Sequence, residues 1–232
     1  MKKTGKKYVE ASNKVDKTKC YSVEDAIKLV KETSITKFDS TIDLAVKLNI
    51  DPKKSDQTLR GSFLLPKGSG KTKRILVLAK GEQAEIAKKL KADFVGEKDL
   101  IDKIKKENWL DFDIIVATPD MMPEVGKIGN ILGPRGLMPN PKTGTVTPKV
   151  EGIINDIKNG MIEYRNDSFG IIHTILGKVS FSEADLIENL NYVVSTINKN
   201  KPNTVKGTFI DTITISSTMG PGIKIDKNNF DI

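Results

Sequence analysis

The chain has one cysteine, Cys20, and one histidine, His173, in 232 residues. That scarcity removes intrachain disulfides, Cys/His zinc sites and di-histidine metal sites, and it leaves no second histidine to support a catalytic one. Arginine is almost as rare. Only Arg60, Arg74, Arg135 and Arg165 occur among 38 basic residues, so the cationic charge is mostly lysine, which supplies point charge rather than forked, bidentate recognition. No stretch approaches the ~20 apolar residues of a membrane helix, and the lysine-rich N-terminus is not followed by an apolar core. Neither a membrane span nor a signal peptide is expected, and a cytoplasmic location follows.

What is present is an ordinary foldable composition with a basic excess. Hydrophobic residues make up 38% of the chain, and 38 basic against 30 acidic residues leave a formal charge of +8. That charge favours a polyanionic partner. The length is enough for one or two domains.

Periodicity changes three times along the chain. The first 20 residues hold seven lysines against Glu10 and Asp16 and read as a basic arm. Ser22 to Asp25 has capping-box spacing ahead of Ala26, Ile27, Leu29 and Val30, which predicts a short helix. Ile42, Leu44, Val46 and Leu48 then alternate with more polar residues, the pattern of a strand with one buried face. A second strand is predicted over residues 61–65. From Gly68 the pattern becomes continuous apolar runs (75–78, 94–95, 114–116) separated by helical stretches, the signature of a mainly parallel sheet covered by helices. A Gly/Pro-rich loop at 133–142 and a helix over 150–158 close that segment. Alternation returns at 161–165 and 171–175. A second capping box, Ser182 with Asp185, then opens a long helix, and a last strand runs through Phe209 to Ile215.

Each outer segment holds too few elements to cover its own sheet, whereas together they make an α+β domain of ordinary size. The expected architecture is therefore one discontinuous α+β domain, residues 1–67 plus 159–232, with an inserted three-layer, Rossmann-like α/β domain at residues 68–158. Two glycine-containing crossings near Gly68 and Gly160 make a hinge plausible. The outer segments carry 22 basic and 17 acidic residues and the insert 16 and 13, or +5 and +3.

Gly68-Ser69-Gly70-Lys71-Thr72 invites a phosphate-loop reading. The motif fails because Leu65 stands where a further glycine is needed and because a strand, not a helix, follows. His173, in an alternating segment, reads as a strand residue rather than a base. Met219 within Thr218-Met219-Gly220-Pro221-Gly222 is an apolar tip flanked by a hydroxyl and glycines. Such a loop either ends a strand or places Thr218 and its amides on ribose and phosphate oxygens while Met219 packs on a sugar or base. Lys37, Phe38 and Thr41 offer a phosphate contact, a stacking ring and a 2′-hydroxyl partner, although Phe38 reads equally as a core residue. Two rivals stand beside an RNA-binding surface at this point: a nucleotide-binding enzyme using the inserted domain, and a general nucleic-acid binder driven by lysine charge.

Taken together, Leu132-Gly133-Pro134-Arg135-Gly136-Leu137-Met138-Pro139-Asn140-Pro141-Lys142, Asp56-Gln57 with Arg60-Gly61, Tyr164-Arg165-Asn166-Asp167 and Ser217-Thr218-Met219-Gly220-Pro221 resemble a universal ribosomal family. It is the bacterial branch of the large-subunit protein of the lateral stalk beside the tRNA exit site, conventionally numbered one. Lys67 departs from it, standing where members often have histidine. The resemblance implies a non-enzymatic structural protein of the large ribosomal subunit, without cofactor or metal, monomeric when free and cytoplasmic on the ribosome. Its implied partners are large-subunit rRNA, exit-site tRNA during release of deacylated tRNA, and the protein's own operon mRNA, whose translation it represses. The implied RNA contacts are Lys37, Phe38, Thr41, Arg165, Ser216, Thr218, Met219 and Gly220, with Glu24 as a further position. The loop at 133–142 is implied to meet further rRNA or tRNA.

Overall fold

The structure is a computed structural model that describes residues 5–230. Packing divides it into two compact units, one holding the described residues of Met1–Gly70 and Ile162–Ile232, the other Lys71–Met161.

In chain order the first unit begins with α1 (Lys6–Asn13), α2 (Val23–Glu32), β1 (Thr41–Leu48) and β2 (Arg60–Leu64). The part of the basic arm that lies within the described residues is thus helical from Lys6 to Asn13, and residues 1–4 lie outside them. Ala11 and Val15 are buried, and Val15 joins the unit's main apolar cluster, so two small hydrophobic anchors order a segment whose composition is dominated by charge. Helix α2 starts where its cap dictates: Ser22 Oγ accepts the Asp25 amide at 3.2 Å and donates to Asp25 Oδ2 at 2.8 Å, satisfying one orphan donor of the first turn.

The second unit comprises β3 (Ile75–Leu78), α3 (Glu82–Lys89), β4 (Phe94–Gly96), α4 (Lys98–Glu107), β5 (Ile114–Ala117), α5 (Met122–Gly126), α6 (Gly129–Leu132) and α7 (Val150–Lys158). Its three strands are parallel in the order β4-β3-β5. Leu76, Leu78, Ile115 and Ala117 cluster with Ile101, Ile104, Met121, Val125 and Leu132. The alternate residues Ile75, Val77, Ile114 and Val116 are buried too, and α3 and α7 pack on each other and on the sheet. Burial on both faces explains why these strands read as unbroken apolar runs. At the sheet's N-terminal edge the Arg74 amide and guanidinium both donate to Asp113, at 2.8 and 3.4 Å. These hydrogen bonds, the backbone one foremost, hold the Asp113 carboxyl below the usual carboxylate range.

The chain returns to the first unit with β6 (Met161–Arg165), β7 (Ile171–Lys178), α8 (Glu183–Lys199), β8 (Ile210–Ser217) and β9 (Ile223–Ile225). The main sheet has the order β7-β1-β8-β9, and β2 pairs with β6 separately. β1 is antiparallel to both β7 and β8, so two strands from the later segment of the chain flank one from the front. One sheet face is apolar: Ile42, Leu44, Val46, Ile213 and Ile215 are buried with Ala26, Ile27 and Val30 of α2 and Leu186, Leu190, Val193 and Ile197 of α8. At ~25 cal/mol per Å² of apolar surface, each such side chain contributes roughly 1.5–3 kcal/mol. Strand β9, absent from the sequence reading, is secured by the chain's front. The Tyr21 amide donates to Lys224 O at 3.0 Å, and the Asp226 amide to Tyr21 O at 2.9 Å. No helix among the described residues is long and apolar enough to cross a membrane.

Candidate nucleic-acid interface

The second face of the main sheet carries the alternate residues, and these are exposed or half-buried. Register places them in rows: Ile175, Asp43 and Ser216; His173, Ala45, Thr214 and Lys224; Ile171, Lys47 and Thr212. A shallow cavity of about 390 Å³ opens there, lined by Asp43, Ala45, His173, Ile175 and Ser216 among others. His173 points out from the strand and lies 3.6 Å from Asp167. Mostly polar or small groups on an open sheet face suit the approach of a polar polymer, and none of the three rows supplies a catalytic constellation.

At one end of this face two distant segments meet. Thr218 Oγ1 accepts the Thr41 amide at 3.2 Å and donates to Thr41 O at 3.1 Å, and the Thr218 amide also donates to Thr41 O at 2.9 Å. Thr41 is itself buried, at 8% exposure. The turn beyond is closed by the Gly220 amide on Ser217 O at 2.7 Å. Met219 sits at its third position with φ 64°, a left-handed conformation that costs a non-glycine residue roughly 1–2 kcal/mol. Its side chain is nonetheless 72% exposed. Gly220 is favoured by space, because a Cβ there falls 2.2 Å from Ser217 Oγ and forces that hydroxyl or the turn to move. Ser216, one residue before, lies on the open face.

The facing loop carries Lys37 and Phe38, both exposed, with Phe38 at 61%. It is held in shape rather than loose. Ser34 and Ser40 hydroxyls are 3.0 Å apart, Thr36 Oγ1 donates to Phe38 O at 3.1 Å, and Asp39 accepts the Ser180 amide and hydroxyl at 3.1 and 2.8 Å. The Ser40 carbonyl accepts the Val179 amide at 3.0 Å. This end therefore presents two exposed apolar side chains and a lysine on a fixed frame. Glu24, in the first turn of α2, is exposed.

Arg165 is not brought to that end. Register runs Thr41 opposite Lys178 and Lys47 opposite Ile171, so the β6–β7 hairpin after Arg165 lies at the opposite end of the sheet, about 20 Å along β1 at 3.3 Å per residue. Arg165 is exposed and lines a cavity of about 520 Å³ with Pro52, Thr58, Asn166, Asp167 and Ser168. Buried Asn166 ties the hairpin to the body: its Oδ1 accepts the Leu59 amide at 2.8 Å, and its own amide donates to Leu59 O at 3.1 Å.

Sequence reasoning passed over Phe169, the most exposed large hydrophobic residue among the described residues at 76%. The signal that flagged Met219, a bulky apolar residue directly before a glycine in a tight turn, is repeated in Phe169-Gly170. The Asp167 carboxylate accepts the Ile171 and Phe169 amides, both at 2.8 Å. Those two donors, with the neighbouring His173, hold its pKa below the usual range against the opposing effect of desolvation.

Residues 30–221 match the sequence model of the ribosomal protein L1p/L10e family. The chain is also 56% identical over 224 residues to the large ribosomal subunit protein uL1 of Phytoplasma australiense, an alignment covering 97% of each chain. These matches dispose of the nucleotide-binding enzyme. A fold with a polar, uncovered sheet face, carried by a chain matched over nearly its whole length, belongs to the ribosomal protein L1p/L10e family, whose members are structural proteins of the ribosome rather than enzymes.

Proposed function

We propose that the protein is a cytoplasmic, large-subunit ribosomal protein that binds rRNA through the open face of its main sheet. The observation that carries this reading is the Thr41–Thr218 junction, which joins the turn bearing exposed Met219 to the strand that follows exposed Lys37 and Phe38. Exposed apolar groups on a hydrogen-bonded frame are poor for stability and well suited to packing on bases and sugars of a folded RNA. Lys37 adds attraction to phosphate that salt screens. Ser216 and the main chain at Met219 and Gly220 supply short polar contacts for 2′-hydroxyls. Thr41 acts mainly through its backbone, as the anchor of the turn. Arg165 serves a second contact at the far end of the sheet.

The domain assignment belongs to the same proposal: residues 1–67 with 159–232 form the rRNA-binding domain, and 68–158 the inserted one. On the ribosome the protein occupies the mobile stalk next to the tRNA exit site and assists release of deacylated tRNA, with the loop at 133–142 meeting tRNA or further rRNA. Free of the ribosome it is a monomer that binds a similar fold in its own operon mRNA and represses translation.

Gel-shift titration tests the reading. A transcript of the lateral-stalk junction of the large-subunit rRNA is expected to bind about a thousandfold or more tighter than a shuffled RNA of equal length. The leader of the protein's own mRNA is expected to compete for the same surface. Equal affinity for junction and shuffled RNA would return the case to non-specific lysine binding.

A further inference from the structure

The hairpin between β6 and β7 holds a phenylalanine that the fold does not use. Phe169 is 76% exposed, and an aromatic ring left in water forgoes the burial that elsewhere stabilises this unit. It is not a loose end. Asp167 Oδ1 accepts the Phe169 and Ile171 amides at 2.8 Å, the Gly170 amide closes the turn on Asp167 O at 3.2 Å, and Gly170 takes φ 75°. A side chain at Gly170 would be strained by that backbone angle and tightly placed, its Cβ 3.2 Å from Leu48 O and from Ile50. The hairpin is thus seated on the sheet end with its ring turned out.

The surroundings narrow the kind of partner. Arg165, Asn166, Asp167 and Ser168 share one wall of a cavity of about 520 Å³ with Pro52 and Thr58. Five of these six side chains are polar or charged, Arg165 being the one forked cation and Pro52 the one apolar residue, so the cavity offers little to extend Phe169 into a greasy patch. A protein partner buried on a lone phenylalanine needs such a patch, whereas an unstacked nucleobase needs only a π-face with a cation nearby for its phosphate. Met219-Gly220 at the opposite end shows the same device, an exposed apolar side chain directly before a glycine in a closed turn. The open face runs between the two.

We propose that Phe169 is a base-stacking residue: an unpaired nucleotide of the bound RNA lies on its ring, with the phosphate of that nucleotide on Arg165. The inference rests on the rRNA-binding reading above and deepens it. The RNA footprint then spans the whole length of the sheet, and one protected nucleotide lies far from those at Phe38 and Met219.

The full-length protein carrying Phe169→Ala, Phe169→Leu or Phe169→Trp is titrated with the rRNA junction transcript, alongside nucleotide-resolution footprinting. Phe169→Ala and Phe169→Leu are expected to weaken binding about tenfold and to expose one nucleotide while leaving the Phe38–Met219 protections intact. Phe169→Trp is expected to restore affinity, with its added fluorescence quenched by RNA relative to the parent. Leucine keeps apolar bulk, so its loss separates stacking from packing. Unchanged affinity and footprint in all three variants would overturn the stacking assignment while leaving rRNA binding standing. Failure of the parent to prefer the junction would instead remove the reading beneath it.

Discussion

The hydroxyl of Thr218 bridges both backbone groups of Thr41, accepting from its amide at 3.2 Å and donating to its carbonyl at 3.1 Å. A strand from the front of the chain and a turn near its end are thereby locked at the site where Phe38 and Met219 project. The hydroxyl is already engaged within the protein, which makes Thr218 a positioning residue as much as a contact.

Thr218→Ala is expected to cost about 1 kcal/mol of stability for the lost backbone links and to weaken junction RNA binding. Thr218→Ser, which keeps the oxygen, is expected to retain most of both. Urea denaturation and RNA titration on the same pair of variants check this.

Met219→Gly separates stability from function. Removing a side chain from a left-handed backbone at φ 64° is expected to stabilise the fold, with the greater flexibility of glycine in the unfolded chain offsetting part of the strain of roughly 1–2 kcal/mol. The same change removes the exposed thioether and is expected to lower RNA affinity about tenfold. A rise in urea midpoint with a fall in affinity is the expected pair of results; a fall in both contradicts it.

Ser217 and Gly220 form a testable pair. Gly220→Ala puts a Cβ 2.2 Å from Ser217 Oγ, so the buried hydroxyl must move or the turn must open. Ser217 Oγ has no hydrogen-bond partner in the folded protein, and Ser217→Ala alone is expected to be neutral or mildly stabilising. The double variant is expected to recover much of the stability and RNA binding that Gly220→Ala loses, which a double-mutant cycle measures as coupling.

Much of this architecture is legible in the sequence because local signals decide it. The Ser22 and Ser182 caps mark α2 and α8, Val150 to Lys158 is a helix at the bounds its pattern gives, and the alternation from Ile42 to Leu48 marks β1. Strand order is a different matter. Nothing near Thr41 announces that Lys178 and Ser217 will flank its strand, because those pairings are long-range and fixed by which faces bury together. Helix α1 was hidden by its lysines, and β9 by a length of only three residues. In the interface, Met219 and Phe38 stand out by residue type, whereas the separation of Arg165 from them follows only from register. Phe169 carried a readable signal that the stronger motif nearby overshadowed.

Acid should act on both units through carboxylates held below their ordinary range, Asp167 by the Ile171 and Phe169 amides and Asp113 by Arg74. A depressed folded-state pKa stabilises above the unfolded value of about 3.9 and loses that contribution as pH falls through the folded value. Stability is therefore expected to be flat with respect to these groups from pH 5 to 8 and to fall below about pH 4. Asp167→Asn, whose amide oxygen still accepts, is expected to flatten part of that acid limb in urea titrations at pH 7 and pH 3.

The central claim is that a fixed surface reads the shape of one RNA fold while lysine charge assists. Affinities of the parent and of the Phe38→Ala/Met219→Ala double variant for the rRNA junction and for shuffled RNA, across a salt series, test it most directly. The expected result is a loss of about a hundredfold on the junction, little change on shuffled RNA, and an unaltered salt slope. Equal losses on both RNAs would contradict the account.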